Sequence, residues 1–88
     1  AGMVPKLAES VRPHRVLRIN DRESVAAARR LVRLEAILPG ASGGAVVAGV
    51  EKLLPELAPG SEVVIILHDS GTGYLDTIYN DDWVEENL

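Results

Sequence analysis

Eighty-eight residues, 47% hydrophobic and 25% charged, suffice for one small globular domain and are too few for two. The absence of cysteine excludes disulfides and thiolate chemistry, and with no Phe, one Trp and two Tyr any core has to be aliphatic. The net charge of −4 conceals an asymmetry: residues 1–44 carry eight Lys/Arg against four Asp/Glu, and residues 45–88 carry one Lys against nine Asp/Glu. A basic half raises nucleic acid as a partner. Yet Arg22, Arg29 and Arg33 fall on one side of a helix with no interleaved aromatics, which is the pattern of a solvated helix face. No apolar run can span a bilayer and no charged-then-apolar leader opens the chain, so a cytoplasmic location, with neither membrane nor nucleic-acid partner, is the expectation.

Ala1-Gly2-Met3-Val4-Pro5 reads as loop, and a short helical turn over residues 6–11 is expected to end at Arg12-Pro13, because proline disfavours helix at the residue before it. His14 is a solvent-side loop residue with no partner that would make it a ligand or base. Residues 16–19, Val-Leu-Arg-Ile, have the composition of a strand near a sheet edge. Asn20 followed by Glu23 is a capping-box pattern, and Val25, Ala28, Leu31, Val32 and Leu38 continue at helical spacing until Pro39-Gly40 stops them.

Pro39-Gly40-Ala41-Ser42-Gly43-Gly44-Ala45 then turns into a second helix, from Ser42 to about Leu54. This helix is apolar around most of its circumference, which predicts burial on several sides, and its Gly44, Ala45, Ala48 and Gly49 permit close approach of a neighbouring backbone. Ser42 is a favoured N-cap residue. The same glycine-flanked hydroxyl, beside free backbone N–H groups, is also a place where a flat or anionic ligand could approach.

After a turn at Ala58-Pro59-Gly60-Ser61, residues 63–67 (Val-Val-Ile-Ile-Leu) are continuously apolar, as in a parallel strand covered on both faces. They end in the polar run His68-Asp69-Ser70-Gly71-Thr72-Gly73, and in open α/β sheets ligands gather at the carboxyl ends of strands. The fold class expected is therefore α/β, a partial parallel sheet with packed helices, forming one segment over residues 1–88. His68, Asp69 and Ser70 have the residue types of a hydrolase triad, but neighbours in an extended chain point in alternate directions. Two separated His and an acidic Asp81-Asp82 turn do not make a metal site. Tyr74, Leu75, Ile78, Tyr79 and Trp83 read as packing residues, and Glu85-Glu86 as exposed.

Taken together, Leu38-Pro-Gly-Ala-Ser42-Gly-Gly-Ala-Val-Val-Ala-Gly and Val63-Val-Ile-Ile-Leu-His-Asp-Ser-Gly-Thr-Gly-Tyr-Leu-Asp-Thr77 resemble the carboxy-terminal third of the cysteine synthase family. These are pyridoxal-phosphate enzymes of fold type II that include cystathionine β-synthase. The stretch Tyr74-Leu75-Asp76-Thr77-Ile78-Tyr79-Asn80-Asp81-Asp82-Trp83 is most similar to the branch that makes 2,3-diaminopropionate for siderophores.

The resemblance implies pyridoxal 5'-phosphate as cofactor in the full-length protein, with Ser42 hydrogen-bonded to the pyridine nitrogen. Gly40 and Ala41 would shape the turn, and His68 and Asp69 would line the pocket. A neutral hydroxyl leaves the ring a weaker electron sink than a carboxylate would, which suits elimination followed by nucleophile addition better than transamination. The implied activity is β-replacement on O-acetylserine or O-phosphoserine, with sulfide or an amine as nucleophile.

His68 stands where the family has Pro, Thr72-Gly73 replaces Glu-Arg, and Gly43 replaces a second Ser of many members. The Schiff-base Lys is matched by neither Lys6 nor Lys52, so no catalytic residue is assigned here and the isolated segment is expected to be inactive. The remainder of the enzyme or a second subunit, in a homodimer, is the expected partner. The rival reading is a non-catalytic α/β binding or assembly module built on the same scaffold.

Overall fold

A computed structural model describes Ser10 and residues 12–88. The loop expected at Ala1-Gly2-Met3-Val4-Pro5, most of the short helical turn expected over residues 6–11, and Lys6 lie outside the described residues.

Helix α1 (Asp21–Glu35) begins where the sequence signals it. The Asn20 side chain accepts from the Glu23 backbone N–H at 2.8 Å, and the Glu23 carboxylate accepts from the Asn20 N–H at 3.1 Å. It ends earlier than Pro39: Ala36 adopts the left-handed conformation at φ 56°, and its N–H closes on the Val32 carbonyl at 3.0 Å. Leu38 is thus outside the helix that its spacing suggested. Helix α2 (Ala41–Leu53) follows and runs into a 3₁₀ turn, Leu54–Glu56, started by Pro55. A second 3₁₀ turn, Gly71–Tyr74, and a short helix α3 (Asp81–Asn87), capped by Asn80, complete the regular elements. None of the described helices is long and apolar enough to cross a membrane.

The two long helices form the main contact of the structure. Gly44 lies against the backbone of Ser24 and the side chain of Ala28, both on α1, while Val25, Ala27, Ala28 and Ala48 are buried. The close approach legible in the small residues of α2 is therefore realised at Gly44. Val25, Ala28 and Ile78 form the buried cluster, with Ala41, Tyr74, Tyr79, Trp83, Val84 and Leu88 packed around it. At about 1.5–3 kcal/mol for each large apolar side chain removed from water, this carboxy-terminal packing is the chief tie between α3 and α1. It uses four of the five packing residues expected after Gly73; Leu75 is the exception, 53% exposed.

Arg29 departs from the solvated face on which its spacing places it. Its guanidinium donates to the Ile78 carbonyl at 3.0 and 2.9 Å and pairs with Asp81 at 2.7 Å. The Ile78 carbonyl, in the turn that follows the second 3₁₀ segment, draws the arginine inward.

The expected partial parallel sheet is absent. The described residues contain one isolated antiparallel bridge, Pro39 with Ser70, and no strand ladder. Residues 63–67 alternate in exposure as a strand would, Ile65 and Leu67 half-buried, but Val64 is 90% and Ile66 74% exposed. Among the described residues no backbone hydrogen bond joins residues 62–68 to another segment. Residues 16–19 likewise enter no strand ladder among the described residues, with Val16 76% exposed. The α/β fold class is thus corrected to a helical one: β-branched composition favours an extended backbone, but a sheet also requires a neighbouring strand at about 4.8 Å, which these segments do not give each other.

At the outer end of the helix pair, Lys52 donates to the Glu23 carboxylate at 2.7 Å and to the Arg18 carbonyl at 2.9 Å. The Lys52 hydrogen bond first, and the Asn20 N–H second, hold the Glu23 carboxyl below the usual glutamate range. A carboxyl lowered on folding contributes stability above its unfolded pKa and loses it as pH falls through the folded value. Glu23→Gln is therefore expected to flatten the acid limb of a melting-temperature against pH curve. A limb unchanged in slope would remove Glu23 from that account.

Candidate functional site

The site is built where the start of α2 meets residues 69–71, just after the apolar 63–67 run. Two hydrogen bonds flank the Pro39–Ser70 bridge: Gly40 N–H to the Asp69 carbonyl at 3.0 Å, and Gly71 N–H to the Leu38 carbonyl at 2.8 Å. Two glycines make this approach feasible. A Cβ on Gly40 would lie 2.9 Å from the Asp69 Cβ and 3.0 Å from the Tyr74 ring. A Cβ on Gly71 would lie 2.5 Å from the Pro39 carbonyl oxygen. The turn and the polar run, which the sequence marks as separate candidates, are thereby one locus.

Gly40, not Ser42, is the N-cap of α2, and it contributes no side-chain cap. Ser42 is the second helical residue, exposed, and its hydroxyl makes no hydrogen bond among the described residues. This corrects the N-cap role expected for it. Ala41 opens the helix half-buried, and its carbonyl accepts from Ser24 Oγ at 2.6 Å. The N–H groups of the first helical turn face outward from the same end, as at every helix start, and add a positive partial charge beside the hydroxyl.

Asp69 gives its backbone carbonyl to Gly40, and its exposed carboxylate lies 3.5 Å from the Tyr74 hydroxyl. His68 is exposed and hydrogen-bonds to neither Asp69 nor Ser70. The Ser70 hydroxyl accepts from the Thr72 N–H at 3.2 Å and pairs with the Thr72 hydroxyl at 2.9 Å. That side chain caps the 3₁₀ turn, so the run is no assembled triad. Among the described residues no group of three or more His, Cys, Asp or Glu side chains is placed to hold a metal ion.

Ser24, Tyr74 and Tyr79 belong to this locus and carry no sequence signal for it. Ser24 is a mid-helix serine, and the tyrosines read as packing residues. Two hollows lie near the locus, one of them bordering it. A groove of about 350 Å³ between α1 and α2 is lined by Glu23, Arg30, Glu51 and Lys52, whose charges are taken up in ion pairs. A cleft of about 200 Å³ shares Ser24 and Ala41 with the locus and continues against Val25, Ile78 and Trp83. Neither contains Ser42. Comparison with protein-family models finds no match.

Proposed function

We propose that this chain forms the ring-nitrogen end of the cofactor site in a pyridoxal-phosphate-dependent β-replacement enzyme acting on an activated serine, O-acetylserine or O-phosphoserine, with sulfide or an amine as nucleophile. The observation that carries this reading is the Ser42 hydroxyl: exposed, released from capping because Gly40 takes that position, and set on a helix start stitched to the polar run through Gly40 and Asp69. The donor set fits the group. A pyridine nitrogen asks for one hydrogen-bond donor, and a serine hydroxyl gives one without imposing a charge.

When bound, the cofactor supplies the electron sink for loss of the serine substituent and for addition of the incoming nucleophile. The residues of this chain orient. Ser42 would donate to the ring nitrogen, and the Gly40-Ala41 turn would fix the direction of that donor. His68 and Asp69 border the same locus and would line the pocket. Lys52 cannot serve as the imine-forming lysine: ten residues beyond Ser42, it lies about 15 Å further along the helix and is tied to Glu23 and the Arg18 carbonyl. That lysine comes from the remainder of the enzyme or a second subunit, the partner this reading requires.

The test compares Ser42→Ala and Ser42→Asp in the enzyme assembled with its lysine-bearing portion. Both variants are expected to shift the cofactor absorption band. Ser42→Ala should reduce β-replacement about tenfold, the worth of one hydrogen bond of about 1.4 kcal/mol at the reacting ring. Unchanged spectra and turnover in both would overturn the reading.

A further inference from the structure

Ser42 has no cap of its own to fix it, so its direction depends on what holds the three residues before it. The Leu38 carbonyl and the Gly40 N–H are held by the 69–71 segment, and the Ala41 carbonyl by Ser24. Another polar group of the turn, the Pro39 carbonyl, accepts from the Tyr79 hydroxyl at 2.5 Å, across forty residues of sequence. The Pro39 ring is fully buried, so this carbonyl has little freedom to turn toward water. Tyr79 also touches the other arm of the bridge: its ring edge lies 3.0 Å from the place a Gly71 Cβ would occupy.

Tyr79 is itself anchored. Its N–H reaches the Tyr74 carbonyl at 3.4 Å, and the preceding carbonyl, of Ile78, receives both Arg29 bonds. Burial pushes the phenol above the ordinary tyrosine range, partly offset by the Arg29 charge, so it remains a donor at neutral pH.

We infer that Tyr79 is a positioning residue for the Ser42 hydroxyl: it clasps both arms of the Pro39–Ser70 bridge and transmits the fixed position of Arg29 on α1 to the first turn of α2. The inference rests on the proposed cofactor role of Ser42 for its catalytic meaning and on the geometry of the turn for its mechanical one. The chain of contacts runs from the Arg29 guanidinium to the Ile78 carbonyl, through Tyr79 to Pro39, and three residues on to Ser42. Its links are the Arg29–Ile78 and Tyr79–Pro39 hydrogen bonds, joined by the Tyr79 residue and by three peptide steps.

Tyr79→Phe tests this with the ring left in place against Gly71. The first readout is amide exchange at Gly40, Gly44 and Gly71, whose N–H groups are bonded across or within the turn. Tyr79→Phe is expected to speed these amides at least tenfold, with the α1 amides of Ala27 and Ala28 unchanged. The second is the absorption spectrum of the assembled enzyme, which should move in the same direction as that of Ser42→Ala, with kcat lowered severalfold and the amino-acid KM little changed. Unchanged exchange at the three glycines, or a uniform rise over both helices, overturns the clasp. Faster exchange with an unmoved spectrum, where Ser42→Ala does move it, overturns the positioning role. If Ser42→Ala itself leaves the spectrum unmoved, the cofactor reading fails and the positioning role fails with it, while the exchange result still decides whether Tyr79 fixes the turn.

Discussion

Gly44→Ala is expected to destabilise the chain by about 2 kcal/mol, the middle of the range for forcing volume into a packed interface. The added Cβ would be driven into the Ser24 carbonyl and would lie 2.9 Å from Ala28 Cβ and 3.1 Å from the Ser24 carbonyl carbon. Most of these atoms belong to the backbone of α1 and cannot rotate away. The helices would have to separate, which also stretches the 2.6 Å bond from Ser24 Oγ to the Ala41 carbonyl. Alanine's better helix propensity returns only about 1 kcal/mol, so the clash decides the sign.

Gly49 in the same helix supplies the control. Its Cβ would meet only Leu17 Cδ1, at an ordinary 3.8 Å, so Gly49→Ala should stabilise by about 0.5–1 kcal/mol. Urea unfolding midpoints of the two variants should move in opposite directions. A shift of the same sign in both would mean that α1 and α2 do not cross at Gly44.

Gly71→Ala is expected to cost about as much and to act on the site rather than on the helix pair. Its Cβ would sit 2.5 Å from the Pro39 oxygen, 2.6 Å from Leu38 Cγ and 3.0 Å from the Tyr79 ring. Relief requires opening the bridge, and with it the bonds from Gly71 N–H to Leu38 and from Gly40 N–H to Asp69. An overpacking cost of about 1–3 kcal/mol is then joined by the exposure of the buried Pro39. Gly73→Ala, with nothing within 4 Å of its Cβ, should change stability by less than about 0.5 kcal/mol. Thermal unfolding of the pair, with amide protection at Gly40, measures both effects. Retained Gly40 protection in Gly71→Ala would show that the two arms do not depend on each other.

What could be read from the sequence follows from the range of the interactions. The Asn20–Glu23 box closes over three residues, so its geometry is implicit in the order of residue types, and α1 starts where that box places it. The approach of α2 to a neighbouring backbone is legible because Gly44 and Ala48 leave room for little else. The strand signal of residues 63–67 describes one chain's preference, whereas a ladder is a property of two chains, and among the described residues no second one arrives.

Ser42 is misplaced by two positions as a cap because Gly40, anchored through Asp69, starts the helix without help from a side chain. Its exposure and the proximity of the turn to Asp69 agree with a binding locus; residue types alone mark two separate stretches, and only the family resemblance places them around one pocket. The bonds from Tyr79 to Pro39 and from Arg29 to Ile78 span forty and forty-nine residues, and nothing local to either end announces them.

The bare edges of residues 63–67 have a consequence for the protein in concentrated solution. Five consecutive aliphatic residues carry no charge, no proline and no glycine, and among the described residues their amides and carbonyls are committed to no other segment. Such a segment is a template for identical segments to stack on in register, so wherever it stays uncovered, colloidal behaviour rather than unfolding sets the limit on how long this chain remains dispersed.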